Sequence, residues 1–281
     1  MKEKKYLFNL IFWVSLSIIF NIFIYITKGE TSAVEYFGGY IVEMSLSLDN
    51  LFLFLMIFSS FGIREEYQER VLLYGVLGAM GLRLIFILLG VSIVNKFHSI
   101  LSLFGIILLY SGLNMIFKKD EKIEFHNNFA VKALEKVMPV TTVLHGNKFF
   151  VKKNRKIYAT PLLAVLVVIE FSDVLFAIDS IPAIFSITTD TMIVYTSNIF
   201  AILGLRSMYY ILEKLNDKFR FMKYGVGVIL MFTGLKLFIV LFGIEISVTN
   251  SVLIIMIILF ISVLLSLLFD EFFARKKKIN K

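Results

Sequence analysis

No cysteine occurs among the 281 residues, so disulfides, thiolate metal sites and cysteine nucleophiles are excluded. Histidine is nearly absent at 3, proline is held to 3, and only 18% of the chain is charged. A soluble domain carries about 25% charged and about 45–50% apolar residues. Here 58% are hydrophobic, with a mean hydropathy of +0.84. That is too much apolar surface for one or two water-facing cores, and it excludes an ordinary cytosolic enzyme. The net charge of +8 would suggest nucleic acid in a soluble protein. In a membrane protein basic residues set orientation instead, and no nucleic-acid partner is expected.

A membrane-crossing helix needs about 20 mostly apolar residues. Eight such runs are predicted, at about 7–27, 33–61, 71–94, 97–117, 157–188, 191–212, 222–243 and 246–269. The fold class expected is therefore an all-α polytopic membrane protein. The first and last runs carry no charge and read as lipid-facing anchors. The first follows Lys2, Lys4 and Lys5 and ends near Thr31-Ser32-Ala33, as a signal peptide would. Its apolar stretch exceeds the usual 7–15-residue signal core, so a retained helix is expected. The second and fifth runs carry carboxylates and are long enough to contain a break.

Lysine and arginine counts between runs give the topology. Segment 118–156 holds ten, including Lys118, Lys132, Lys148 and Arg155. The turn 213–223 adds Lys214, Lys218, Arg220 and Lys223, and the tail adds Arg275, Lys276, Lys277, Lys278 and Lys281. Only Lys28 and Lys96 fall on the opposite side. Eight crossings put every basic segment on one face, predicting that both termini are cytoplasmic.

The chain also repeats itself, which decides architecture. Gly105-Ile-Ile-Leu-Leu-Tyr-Ser-Gly112 matches Gly227-Val-Ile-Leu-Met-Phe-Thr-Gly234, and Gly81-Leu82-Arg83 matches Gly204-Leu205-Arg206. Glu43 and Asp49-Asn50 match Asp173 and Asp179-Ser180, each pair of acids six apart. These landmarks define two three-helix units, 33–117 and 157–243, between an anchor at 1–32 and a final helix with basic tail at 244–281. A three-helix unit followed by another enters the membrane from the opposite face, so the halves are expected to be inverted repeats. Secondary transporters share that plan, with sites near mid-membrane on broken helices. The joining segment 118–156 contains Pro139, His126, His145 and Phe149-Phe150. It reads either as a solvated linker or as an amphipathic helix on the anionic leaflet. Neither histidine has a partner at metal-ligand spacing.

Five carboxylates fall inside the predicted crossings: Glu43, Asp49, Glu170, Asp173 and Asp179. Each ionised acid at a helix centre costs about 2.5–3.5 kcal/mol on insertion scales. Together they approach or exceed the about 5–15 kcal/mol by which a whole domain is stable. They must be protonated, paired, hydrated or holding a cation. The basic groups at that depth are Arg83, Arg206 and Lys236, expected to balance charge. With both arginines paired the cluster keeps a formal −3, which suits a site that gains and loses a divalent ion. On an unbroken helix a six-residue spacing is about 120° off-face, so Glu43 and Asp49 cannot grip one ion together, nor can Asp173 and Asp179. Either each half supplies separate ligands or the helix unwinds, for which Pro182 is the candidate break. Glu170 and Asp173, three apart, share a face. The five acids read as one central cluster, with Asn50 and Ser180 as secondary oxygen donors and Asn198 as a weaker one. Oxygen ligands without cysteine suit Mg²⁺, Ca²⁺ or Mn²⁺.

Glu43-Met-Ser-Leu-Ser-Leu-Asp49-Asn50-Leu-Phe, Pro161-Leu-Leu, Glu170-Phe-Ser-Asp173-Val-Leu-Phe-Ala-Ile-Asp179-Ser-Ile-Pro182-Ala and Thr196-Ser-Asn198-Ile-Phe-Ala-Ile-Leu-Gly-Leu-Arg206 resemble the TerC/Alx family of bacterial integral membrane proteins. The likeness spans about residues 33–242, and the five acids match its motif positions one for one. It implies Mn²⁺ as transported substrate and export as direction; no organic cofactor and no enzymatic activity are expected. It also implies manganese supply to secreted proteins, with secretion-machinery or exoenzyme partners, and carries the family's association with tellurium resistance. Cation/proton exchange is the expected mechanism. Two rivals are an accessory protein of a tellurite-stress or secretion complex, and a transporter of another substrate such as Ca²⁺ or an amino acid. An intramembrane aspartyl hydrolase would need a flanking Gly-x-Gly-Asp segment, which is absent.

Overall fold

The computed structural model describes residues 2–96, 100–117, 129–153, 155–215, 222–244 and 246–279. At some helical positions, Asp49 and Arg206 among them, only the backbone is described. His126 lies outside the described residues. Eight long helices appear among them: α1 (Lys2–Lys28), α2 (Glu30–Ser60), α3 (Glu65–Lys96), α4 (Ile100–Phe117), α6 (Pro161–Phe185), α7 (Thr191–Leu215), α8 (Met222–Ile239) and α9 (Val248–Ile279). A short helix, α5 (Phe129–Val137), and a hairpin of β1 (Phe150–Lys153) with β2 (Lys156–Ala159) separate α4 from α6. Among the described residues, five helices (α1, α3, α4, α6 and α9) are long and apolar enough to cross a membrane.

Local chemistry places the helix ends. Gly29 alone separates α1 from α2, at φ 89° and ψ −179°, a backbone region open essentially to glycine. Gly62, at φ 61°, ends α2, and the Ile63 N–H reaches back to the Phe58 carbonyl at 2.9 Å. That is the six-to-one bond of a Schellman cap. Pro161 opens α6, where its missing N–H has no helical partner to lose.

Two expectations need correction. α2 runs unbroken for 31 residues, about 46 Å, so its length reflects extension beyond a bilayer core of about 30 Å, not an internal break. α6 likewise continues through Pro182. The proline stands in the last turn, before the cap at Ser186, where one lost hydrogen bond does not unwind the helix. Of the two readings of the segment before α6, the short helix is present as α5, and its Ala130 and Val131 are buried in the same core as Leu162 and Val165 of α6. Arg70 of α3 ties the hairpin down, donating to the Asn147 carbonyl at 2.5 Å with its guanidinium 5.0 Å over the Phe149 ring.

Helix α6 is central, with half of its apolar window buried, against 11% for α1. α1 and α9 expose rows of large apolar side chains, among them Phe8, Ile19, Phe260 and Leu268. Exposed area of that kind belongs against lipid. α2 packs on α7, α6 and α1, and α3 packs on α6 and α7.

The most intimate crossing joins α4 to α8 through glycines. A Cβ on Gly105 would lie 2.7 Å from the Gly234 carbonyl, and one on Gly234 would lie 2.7 Å from the Gly105 carbonyl. Gly112 stands in the same relation to Gly227, at 2.6 and 3.1 Å. Small residues let two backbones touch where lipid gives no hydrophobic drive. Gly234→Ala is therefore expected to lower stability by about 1–3 kcal/mol, as overpacking does, read as earlier thermal unfolding in detergent.

The loop 186–190 is held from outside the bundle. Asp190 accepts backbone N–H bonds from Met192 at 2.9 Å and Ile193 at 3.1 Å, capping α7, and takes Lys28 of α1 at 2.6 Å. Partial burial pushes its carboxyl up, but the Lys28 and backbone hydrogen bonds outweigh it and hold the group below its ordinary 3.8. A depressed folded value stabilises above the unfolded value and is lost as pH falls through the folded one. Asp190→Ala should thus lower stability by about 1 kcal/mol at pH 7, and the gap to wild type should narrow in unfolding curves as pH falls below 3.8.

Candidate functional site

The acids do not share one environment. Glu43 of α2 is fully buried and Arg83 of α3 is 2% exposed. Their charged atoms lie 2.5 Å apart. Ser47, one turn along α2, donates to the other Glu43 oxygen at 3.0 Å. Arg83 also donates to the Asn198 side-chain oxygen, while the Asn198 amide donates to the Val194 carbonyl at 2.9 Å. Asn198, expected as an oxygen donor for an ion, has its oxygen committed to Arg83. Asp173 of α6, 8% exposed, lines the same cavity of about 20 Å³ as Arg83, with Gly75, Ala79, Ile169 and Ile202. The first group therefore joins α2, α3, α6 and α7 around one guanidinium.

Asp179 lies in a second pocket. Ser111 of α4 donates to its carboxylate at 2.7 Å, and no other hydrogen bond or ion pair reaches it among the described residues. Asn50 and Ser180, 4% and 1% exposed, line the same cavity of about 20 Å³ with Leu46, Met115, Phe176 and Leu230. A space of that size holds one water-sized guest. The Ser180 hydroxyl is buried there without a hydrogen-bond partner among the described residues. This pocket joins α2, α4, α6 and α8.

Glu170 points elsewhere, into a notch of α3. A Cβ on Gly78 would collide with its carboxylate, and one of its oxygens is buried with no hydrogen-bond partner among the described residues. Lys236 pairs with no acid among the described residues. Its ammonium, 6% exposed, donates to the Ser186 carbonyl at 2.5 Å. There it meets the negative end of the α6 dipole, and no carboxylate lies within ion-pair distance among the described residues. The side chains of Asp49 and Arg206 lie outside the described residues. No three histidine or acidic side chains converge among the described ones.

Sequence reasoning singled out the acids and Arg83 from their depth and spacing. No role at the site was assigned to Ser47, Gly78 or Ser111. Ser111 had a signal in the repeat, where Ser111-Gly112 stands opposite Thr233-Gly234.

A bundle with apolar flanks and acids buried between its helices defines a polytopic α-helical membrane protein. The chain matches the description "Integral membrane protein TerC family" over residues 28–278, and it belongs to that family. It is 41% identical over 239 residues to an uncharacterized membrane protein of Rickettsia bellii, covering 85% of this chain and 79% of that one. A protein of Salmonella typhi, named as a proposed membrane-bound redox modulator, Alx, is 45% identical over 238 residues, 82% of this chain and 74% of that one. Its namesake in Escherichia coli K12 is 44% identical over 236 residues, 81% and 74% of the two chains. No solved structure matches.

Proposed function

We propose that this protein is an inner-membrane transporter that exports a hard divalent cation, Mn²⁺ above all, with both termini cytoplasmic. One observation carries the reading. Glu43, Glu170, Asp173 and Asp179 sit within long, largely apolar helices, and among the described residues only the Arg83 guanidinium pairs with any of them. Acid in excess of base at that depth calls for a positive guest. Oxygen donors without cysteine favour a hard ion. The resemblance that names manganese supports Mn²⁺ over Ca²⁺.

The two halves, α2–α4 and α6–α8, are inverted repeats in this reading. Support comes from the reciprocal pairs Gly105 with Gly234 and Gly112 with Gly227, which a twofold axis at the α4–α8 crossing would exchange. The same axis exchanges the α2–α7 contact with α3–α6. The ion enters from the cytoplasm, is held between the halves by carboxylates of both, and leaves when they rock. Protons returning to the acids complete the exchange. The relatives' redox naming cannot act here through thiols, since the chain has none.

Purified protein in vesicles tests this. Mn²⁺ should cross the membrane, faster when an opposing pH gradient is imposed, and should outcompete Ca²⁺. Vesicles that move no divalent ion would favour an accessory role in a larger complex.

A further inference from the structure

We infer that Ser111 is a positioning residue of the cation site, and that the ion's anchor is the Asp179 pocket. This rests on the cation-export reading above. Charge selects the pocket first. Glu43 is neutralised by Arg83 and bonded by Ser47, and Asp173 shares its cavity with the same guanidinium. Asp179 has no basic side chain within ion-pair distance among the described residues. Its sole bond there is from a neutral hydroxyl, so among the described residues its negative charge stands open to a guest.

The hydroxyl itself departs from the habit of the chain. Serines and threonines on these helices mostly turn back onto the carbonyl four residues earlier, as Ser45 does to Ile41, Ser172 to Val168 and Ser262 to Ile258. Thr233, which holds the equivalent place in the other half, does the same to Ile229 at 2.9 Å. Ser111 instead reaches 2.7 Å across to Asp179 on α6. Gly112 beside it sets α4 hard against α8, which fixes the height of the hydroxyl.

A hydroxyl has one proton to give and two lone pairs. By donating to one Asp179 oxygen, Ser111 holds the carboxylate in one orientation at the edge of the pocket and leaves its other oxygen for a guest. The unpartnered Ser180 hydroxyl, 1% exposed, and the Asn50 amide line the same space. The result is a set of oxygen donors drawn from α2 and α6, held in place by Ser111 of α4, with room for one small guest.

The test uses the full chain in proteoliposomes, with Mn²⁺ as the probe in both uptake and direct binding. Ser111→Ala should raise KM and Kd for Mn²⁺ about tenfold, the size expected for losing a hydrogen bond to a charged group, with unchanged unfolding temperature. Ser111→Thr, which keeps the hydroxyl, should retain wild-type values. Wild-type KM and Kd in Ser111→Ala overturn the assignment alone. So does a loss that tracks a drop in unfolding temperature in both variants, because it marks a packing role. Wild-type protein that binds no Mn²⁺ overturns this assignment together with the reading beneath it.

Discussion

Asp179→Asn is expected to abolish Mn²⁺ efflux from loaded cells while the protein still inserts and folds. Asp49→Asn, its counterpart in the repeat, is expected to do the same. A carboxylate that binds an ion through charge contributes about 1.5–3 kcal/mol, so amide replacement weakens binding about 10- to 150-fold. Stability should not fall with it. Asp179 has no basic partner among the described residues, and an asparagine can still accept the Ser111 bond at lower desolvation cost. The pairing of outcomes is the informative part: transport lost, unfolding temperature kept or raised. Efflux at wild-type rates from either variant would remove the site.

The opposite pattern is expected at Glu43 and Arg83. Both are buried to within 2% of complete, with charged atoms 2.5 Å apart. Breaking a buried pair by removing one partner costs about 3–5 kcal/mol, because it strands the other charge. Glu43→Gln and Arg83→Gln should each reduce stability by that amount in denaturant titrations of micellar protein. The double variant Glu43→Gln/Arg83→Gln should recover a large part of it, since no ion is then left unpaired. A cost below about 1 kcal/mol in either single variant would mean that the charge is compensated by another group.

The two sets of variants separate acids that look alike in the sequence. Six-residue spacing made Glu43 and Asp49 equivalent to Asp173 and Asp179. Packing makes them different, because Arg83 reaches Glu43 at 2.5 Å and shares a cavity with Asp173 while leaving Asp179 to a serine. Glu170 was grouped with Asp173 by its three-residue offset, yet it fills the notch left by Gly78 on α3.

Composition and periodicity alone determined that this chain lives in a membrane and is helical throughout its apolar runs. Both follow from one rule that needs no tertiary information: in lipid the backbone must satisfy its own hydrogen bonds, so a long apolar stretch becomes a helix. Depth in a crossing likewise marked the acids as costly, and helical geometry showed that acids six apart cannot serve one ion from the same unbroken helix. What a buried charge is paired with was beyond that reach. Lys236 lies in the last turn of α8, and nothing near it in the sequence says that its ammonium meets the end of α6 at the Ser186 carbonyl. Ser111 could have turned back on its own helix, as Thr233 does, and only the packing of α4 against α6 brings it to Asp179. Such partners are chosen by contacts between helices far apart in the chain, where a shift of a few ångströms decides which oxygen meets which charge.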